Sequence, residues 1–420
     1  MFRSKIRPLV LAALLLATVA TTAGAAGASS ANPEDRGEAL DAAVEAYQRV
    51  YPDISEDAAR AAAEQQEVRK SLYEGLVADG GRTFGGAWFD PPSGVLHVAV
   101  TQPRAAARVQ TLGDELGLRV QTHRVARSFA ALERQATALR GGTDEIARAA
   151  RGQVGIDVEN NRVVAAVPRR DLNRLVGRSR TAGVALVADP GLDVEADAGC
   201  TSRAACDWTV RAGAMLWRGS TGNNVCSVGF TARTSGNQRY AYTAGHCSNG
   251  NGVNWGTGGL SIGPMQASIN SGALDAAIIR VTNSWFTGDL GGEIYMESVA
   301  GRTVPVKGVA PTLSYIWSGE TVCLAANYTA PNGPNRCGVV GTNSDSSVRG
   351  MVRVNGFDAC GGDSGGGWYW LSSSGNRIAY GLHSRSDVGC NGSNGGSRSW
   401  FSALPTIKSN WTPGLTVEVR

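Results

Sequence analysis

All eight cysteines of this 420-residue chain stand at or after position 200. An even cysteine count confined to one half reads as oxidised pairs in an exported domain. The chain is therefore two objects: a half that must fold by apolar burial alone, and a half that is expected to be cross-linked. Charge follows the same division. Residues 31 to 199 carry 25 acidic against 21 basic side chains, net −4, whereas residues 200 to 420 carry 11 against 16, net +5. Neither balance is basic enough to argue for a nucleic-acid partner. Of the 55 glycines, 36 lie from position 200 onward, with nine of the ten tryptophans, which is the composition of short strands joined by turns. With 42% of its residues hydrophobic and 18% charged, the chain is not disordered and can bury one full core or two.

Arg3, Lys5 and Arg7 precede an apolar run from Leu9 to about Ala20, and Ala23, Ala25, Ala26 and Ala28 follow. These are the three regions of a secretory signal, so residues 1–28 are expected to be a signal peptide and the protein to be secreted and extracellular. A membrane anchor needs about 20 apolar residues. No later stretch is long enough to span a bilayer, and no membrane partner is expected.

Helical spacing of Leu40, Val44 and Tyr47 predicts an amphipathic helix over 36–50, and a second is expected over 55–78. Strands are expected at 83–89 and 95–101 across Asp90-Pro91-Pro92-Ser93-Gly94, followed by a helix at 104–117 and a strand near 118–126. The theme repeats with a helix at 129–140, strands at 154–159 and 162–167 across Asn160-Asn161, a helix at 169–177 and a strand at 183–188. Residues 31–195 therefore read as a cysteine-free α+β domain, built from two related subunits. Asp189-Pro190-Gly191 and the acidic stretch to Asp197 read as an exposed, cleavable linker. Beyond it, β-type segments at 215–217, 226–232, 240–244, 276–282 and 377–383 suggest an all-β barrel or sandwich over 200–420 with non-local pairing.

Two segments carry chemistry: Thr243-Ala244-Gly245-His246-Cys247 after a strand, and Gly361-Gly362-Asp363-Ser364-Gly365-Gly366 in a glycine-rich loop. A single histidine is more often structural, and a serine among glycines is usually a turn, so the pair needs a third member. Asp275 stands at the head of the apolar run Ala276-Ala277-Ile278-Ile279, where a buried carboxylate must have a hydrogen-bond partner. His97 and His123, beside strand-like residues of the first half, read as surface or core histidines.

The ordered set His246, Asp275, Ser364 resembles the chymotrypsin-fold serine proteases. That resemblance implies an all-β double Greek-key barrel of trypsin-like type preceded by the α+β domain, with Ser364 as nucleophile, His246 as base and Asp275 as its orienting carboxylate. It implies an oxyanion hole from the Gly362 and Ser364 amides, one such donor being worth roughly 3 kcal/mol of barrier. Cys226-Ser227-Val228-Gly229-Phe230, the short interval from His246 to Asp275, and Val348-Arg349-Gly350-Met351 are similar to the secreted bacterial branch of α-lytic protease and the streptogrisins. Phe84-Gly85-Gly86-Ala87-Trp88 and Val154-Gly155-Ile156-Asp157-Val158-Glu159 look like that branch's pro-region.

The branch's pairing implies that Cys226 joins Cys247, Cys323 joins Cys337, and Cys360 joins Cys390; Cys200 and Cys206 are left for each other. No Cys-x-x-Cys motif supports a zinc cluster instead, and no cofactor or metal is implied. Two signals for the side chain before the scissile bond (P1) disagree. Asp358 takes the place of a trypsin-like specificity aspartate, which favours Arg or Lys. Gly381-Leu382-His383-Ser384-Arg385-Ser386 resembles the wall of glutamate-specific members, where His383 and Ser386 would bind a carboxylate while Ser384 holds Asp275. His383 as a buried histidine satisfied by backbone is the alternative. Glutamate-specific members usually carry serine at the position of Gly361, and the serine loop lacks the arginine that α-lytic protease pairs with its buried aspartate, which leaves Asp363 without an assigned partner. The expected partners are protein or peptide substrates and the chain's own pro-domain, with the enzyme a monomer. The rival from another class is a catalytically inactive secreted binding protein on the same fold; a first half retained as a separate binding module is a third reading.

Overall fold

The structure, a computed structural model, describes residues 33–77, 82–189, 195–196, 210–219, 225–248, 250–257, 260–287, 291–295, 303–327, 336–372, 376–387 and 396–420. The expected signal peptide, most of the linker, and Cys200, Cys206 and Cys390 lie outside the described residues.

The amino-terminal half opens with three helices, α1 (Pro33–Val50), α2 (Glu56–Glu64) and α3 (Gln66–Val77). The single helix expected over 55–78 is thus two, broken at Gln65 with no glycine or proline to mark it. The break follows a tertiary contact. Gln66 is buried, and its side-chain oxygen accepts from the Thr321 amide, the Thr321 hydroxyl and Trp370 Nε1 at 3.1, 2.8 and 3.2 Å.

Two units of one topology follow. In the first, β1 (Phe84–Asp90) pairs antiparallel with β2 (Val95–Val100), α4 (Pro103–Glu115) crosses over, and β3 (Val120–Arg124) returns parallel to β2. After α5 (Phe129–Arg140) and α6 (Glu145–Ala150), the second unit repeats this with β4 (Val154–Asp157), β5 (Arg162–Val167), α7 (Leu172–Ala182) and β6 (Val184–Ala188). Hairpin, helix and parallel third strand recur in both, as expected of two related subunits. The short α6 was not expected; Asp144 makes it by accepting from the Ile146 and Ala147 amides at 2.8 and 2.9 Å. The helix expected over 169–177 is a 3₁₀ turn at Arg169–Asp171 and then α7, which runs five residues further. His97 Nδ1 and His123 Nε2 form a pair at 2.9 Å, both rings stacked on Trp88 at 5.0 Å between centroids.

A two-residue strand, β7 (Glu195–Ala196), precedes the carboxy-terminal half. There, β8 (Met215–Arg218), β9 (Val225–Ser227), β10 (Thr231–Arg233), β11 (Arg239–Thr243), β12 (Asn254–Thr257), β13 (Leu260–Ser271) and β14 (Leu274–Arg280) form one sheet, completed by the chain's last strand. The strand expected over 226–232 is split because the chain changes neighbours within it. Val228 exchanges backbone bonds with Gly213 and Ala214 beside β8, whereas Gly229 and Phe230 bond Tyr242 of β11.

The second sheet contains β15 (Glu293–Tyr295), β16 (Thr303–Val309), β17 (Thr321–Ala325), β18 (Cys337–Asp345), β19 (Met351–Asn355), β20 (Gly367–Leu371), β21 (Arg377–Ser386) and β22 (Arg398–Ala403), while β23 (Thr416–Val417) is the strand that completes the first sheet. Pairing of β21 with β22 closes a ring of six, β21-β20-β17-β18-β19-β22. The first sheet wraps a core of its own, including Leu216, Val228, Trp255, Ile262 and Ile279. The second shares a continuous core with the amino-terminal half, from Tyr47, Phe84 and Phe89 to Trp317, Trp368 and Phe401.

Candidate active site

The site forms where the two barrels meet. β11 pairs with β14, Thr243 opposite Ala277, so the 3₁₀ turn Gly245–Cys247 that ends β11 lies beside the head of β14. Gly245 has no room for a side chain: a Cβ there would stand 2.9 Å from the Ala276 amide nitrogen and closer still to the Ile269 carbonyl. A disulfide from Cys247 to Cys226 tethers the same turn to β9, and a second joins Cys323 to Cys337. Cys360 is also disulfide-bonded.

This geometry brings His246 and Asp275 together through two bonds. The His246 amide donates to Asp275 Oδ1 at 2.8 Å, and His246 Nδ1 lies 2.7 Å from Asp275 Oδ2. Ser384 donates to the same Oδ2 at 2.5 Å and accepts from Arg385 Nε at 3.1 Å. The Asp275 amide donates to Ser402 Oγ at 2.8 Å. Burial alone would raise the Asp275 carboxyl, but the bonds from the His246 ring and amide and the Ser384 hydroxyl prevail and hold it at about 2. The carboxylate is therefore ionised, and it fixes the imidazole with Nδ1–H toward Asp275 and Nε2 as acceptor.

On the other side of the ring, His246 Nε2 is 2.8 Å from Ser364 Oγ. The serine loop is held by its own backbone: Asp363 donates to the Cys360 carbonyl at 2.9 Å and Gly366 to the Asp363 carbonyl at 2.8 Å. Asp363 is buried and its Oδ2 accepts from the Cys360 amide at 2.8 Å, which supplies a partner that the sequence left unassigned. Gly365 has φ +84°, and a Cβ there would stand 2.6 Å from the Ala244 amide nitrogen and 2.7 Å from the Ser227 carbonyl oxygen. Only glycine allows the serine loop to lie this close to the histidine loop. Gly362, at φ +101°, turns its carbonyl to Ser227 Oγ at 2.8 Å, and the Ser227 amide donates to the Ser364 carbonyl at 2.7 Å.

Ser227, Ser402 and Arg385 were not singled out from the sequence as site residues. Ser227 lies in one of the family-like stretches, which was its only signal; Ser402 gave none.

Asp358, His383 and Ser386 are all buried. Ser386 Oγ accepts from the Ala359 amide at 3.3 Å and lies 3.1 Å from Ser399 Oγ, while Phe357 packs edge-on against Trp368 at 4.7 Å. Trp368 Nε1 donates to His383 Nδ1 at 3.2 Å. Indole nitrogen is a donor only, so His383 Nδ1 is the acceptor and the ring N–H is on Nε2. Among the described residues no cluster of three metal-ligating side chains occurs, and no helix is long and apolar enough to cross a membrane.

Residues 56–115 match the family described as the alpha-lytic protease pro N-terminal domain. Serine protease 1 of Streptomyces fradiae is 30% identical over 371 residues, covering 85% of this chain and 88% of that protein. Among solved structures, the Nocardiopsis protease NAPase and the Cellulomonas bogoriensis chymotrypsin are each 24% identical, with TM-scores of 0.39 and 0.38. Each match covers 50% of this chain and 100% of the other.

Proposed function

This chain belongs to the family of bacterial chymotrypsin-fold serine protease precursors of the α-lytic protease and streptogrisin type, and from that premise we propose that His246, Asp275 and Ser364 are its catalytic triad. The protein is a serine endopeptidase made as a pro-enzyme. One observation carries the assignment of residues: an unbroken chain of hydrogen bonds from Asp275 Oδ2 through both ring nitrogens of His246 to Ser364 Oγ.

The chemistry follows from those distances. Ser364 Oγ attacks the scissile carbonyl while His246 Nε2 takes its proton, and the Asp275 carboxylate stabilises the imidazolium that results. The Gly362 and Ser364 amides take the oxyanion, their loop being fixed beforehand by Ser227, Asp363 and Gly365. The imidazolium then returns the proton to the leaving amine, and water repeats the sequence on the acyl-enzyme.

The linker supports self-inhibition. β7 pairs antiparallel with β21, Glu195 opposite Ser386 and Ala196 opposite Arg385, adjacent to the Ser384 that bonds Asp275. A strand added to this edge occupies the place of a peptide substrate's residues before the scissile bond. We therefore assign residues 1–28 to a signal for export, 31–195 to the pro-domain, and 200–420 to the protease, with cleavage in the linker between the last two. The mature enzyme acts outside the cell as a monomer on protein and peptide substrates. For P1 we propose an acidic residue, bound by His383 Nε2–H and Ser386; Asp358, if it faced the same pocket, would instead favour Arg or Lys.

Ser364→Ala tests the mechanism. It should lower peptide hydrolysis by about 10⁵-fold or more and leave a precursor that is not cut. Activity within tenfold of wild type would exclude the triad. Mass spectrometry of the secreted wild-type product locates the boundary, and a panel of peptides differing only at P1 tests specificity. Preference for Arg or Lys there would overturn the acidic assignment, as would preference for large apolar side chains.

A further inference from the structure

Lys70, on α3 of the amino-terminal half, is 3% exposed and lies wholly against the carboxy-terminal barrel. Its ammonium contacts the Glu320 carboxylate and the Tyr315 carbonyl. Four aromatic rings surround it, with centroids at 4.0 Å (Tyr315), 4.8 Å (Trp317), 5.4 Å (Tyr380) and 5.7 Å (Trp370). Every one of these partners belongs to the protease half. That half also orients the acid: Glu320 Oε2 accepts from the Trp317 amide at 3.0 Å and from Tyr380 OH at 3.2 Å, which leaves Oε1 for the ammonium.

A lysine used merely to pack a helix would be a poor choice. Taking an ammonium out of water costs several kcal/mol, and only a complete set of acid, carbonyl and ring faces offsets it. Burial draws Lys70 down to about 8 while Glu320 holds it up, so the ammonium remains charged at neutral pH. The cage is also non-local. Trp370 is on β20 and Tyr380 on β21, brought together by the pairing of those strands, whereas Tyr315, Trp317 and Glu320 come from the segment leading into β17.

We propose that this aromatic cage is a binding site for a primary alkylammonium group that the mature protease retains, occupied in the precursor by Lys70 and open to the lysine side chain of another protein once the pro-domain is gone. The proposal rests on the pro-enzyme reading above. In the precursor, the rings of Trp370 and Tyr380 both face Lys70 only where β20 and β21 are paired, so the same cage couples completion of the barrel to the pro-domain.

Two experiments decide it. In the first, mature enzyme purified after maturation, with Ser364 blocked by an organophosphorus reagent, is titrated with n-butylammonium, with n-butanol, and with a peptide of residues 64–77 carrying Lys70 or its Lys70→Gln form. Saturable quenching of tryptophan fluorescence is expected for the amine and the Lys70 peptide. The Gln form should bind about tenfold or more weakly, the scale of a charge-assisted hydrogen bond. Binding of the amine without the peptide would restrict the site to free amines and overturn the protein-lysine assignment. Equal binding of butanol and butylammonium, or no binding, would overturn the cage altogether. In the second, the full-length Lys70→Ala precursor should mature about tenfold or more slowly and recover with n-butylammonium but not n-butanol. Maturation at the wild-type rate would overturn the role in the precursor. Failure to obtain any mature wild-type enzyme would count against the pro-enzyme reading, not against the cage.

Discussion

The two barrels of the protease half differ in what completes them. The amino-terminal barrel encloses Leu216, Trp255, Ile262 and Ile279 in a core that contains no residue of the amino-terminal half. The core of the carboxy-terminal barrel continues into the other half of the chain, where Tyr47, Tyr73 and Phe89 meet Trp317 and its neighbours. Polar contacts repeat the asymmetry. Tyr47 OH donates to the Gly319 carbonyl at 2.9 Å, Arg49 to the Cys337 and Gly356 carbonyls, and the Phe89 amide to the Ser318 carbonyl at 2.8 Å. The first barrel makes none of these contacts. The other, a ring of six strands with long-range pairing, offers a surface that the pro-domain finishes, so the folding assistance implied by the family should act mainly there.

The largest effect should come from separating the halves. Oxidised residues 200–420 refolded alone should give little active enzyme, and addition of the separately made amino-terminal half should restore it. Glycine richness raises the entropy lost on folding throughout 200–420, but the contacts with the amino-terminal half fall mainly on the carboxy-terminal barrel. Hydrogen exchange on the chain refolded alone should therefore find protected amides in β11 and β14 and unprotected ones in β17, β20 and β21. Equal yields of active enzyme with and without the amino-terminal half would break the comparison, as would uniform protection.

The asymmetry was not legible in the sequence, although much of the site was. Thr243-Ala244-Gly245-His246-Cys247 and the glycine-flanked Ser364 could be read because the site needs residue types with few substitutes: a ring base, a hydroxyl, and glycines where a Cβ would strike backbone. The α+β repeat was legible because hairpin turns and helical spacing are local signals. What was missed depends on contacts between the halves. α2 and α3 part at Gln65 because Gln66 serves Thr321 and Trp370, some 255 and 304 residues away. Lys70 carries no signal in the sequence beyond its place on a helix, and its four ring partners all come from the other half. β7 has no strand-like pattern at all; it is extended because β21 offers it an edge.

A smaller effect sits at the junction of the barrels. Asp275 belongs to β14 of the first barrel but is held by Ser384 and Ser402 of the second. Its carboxyl is near 3.8 when free and about 2 here. A depressed folded value gives stability that is fully present above the unfolded value and is lost as pH falls through the folded one. The ionised carboxylate should thus contribute about 2 kcal/mol above pH 4, fading between about pH 4 and 2. Urea unfolding in the Ser364→Ala background, with and without Asp275→Asn, measures this. The pH dependence should be steeper in that window with Asp275 present, and parallel curves would show that the carboxylate does not clamp the barrels together.

The smallest effect isolates docking from the enzyme's own stability. Tyr73 OH lies 2.6 Å from Thr312 Oγ1 and 2.9 Å from Ser314 Oγ, and its ring meets Tyr315 and Trp317 edge-on at 5.2 and 5.6 Å. Tyr73→Phe keeps the ring contacts and removes only the hydroxyl. The two hydroxyls it leaves already bond each other at 3.0 Å, so neither becomes an orphan, and the loss should be near the net worth of one hydrogen bond, about 1 kcal/mol. Added in trans, the variant amino-terminal half should inhibit the mature enzyme about fivefold less tightly than wild type. The urea midpoint of the mature enzyme cannot change, because Tyr73 is not part of it. A loss of a hundredfold or more would mean that the ring packing had also failed and that the shared core is more brittle than a surface completed by its partner. No loss at all would place the docking energy in the apolar contacts alone.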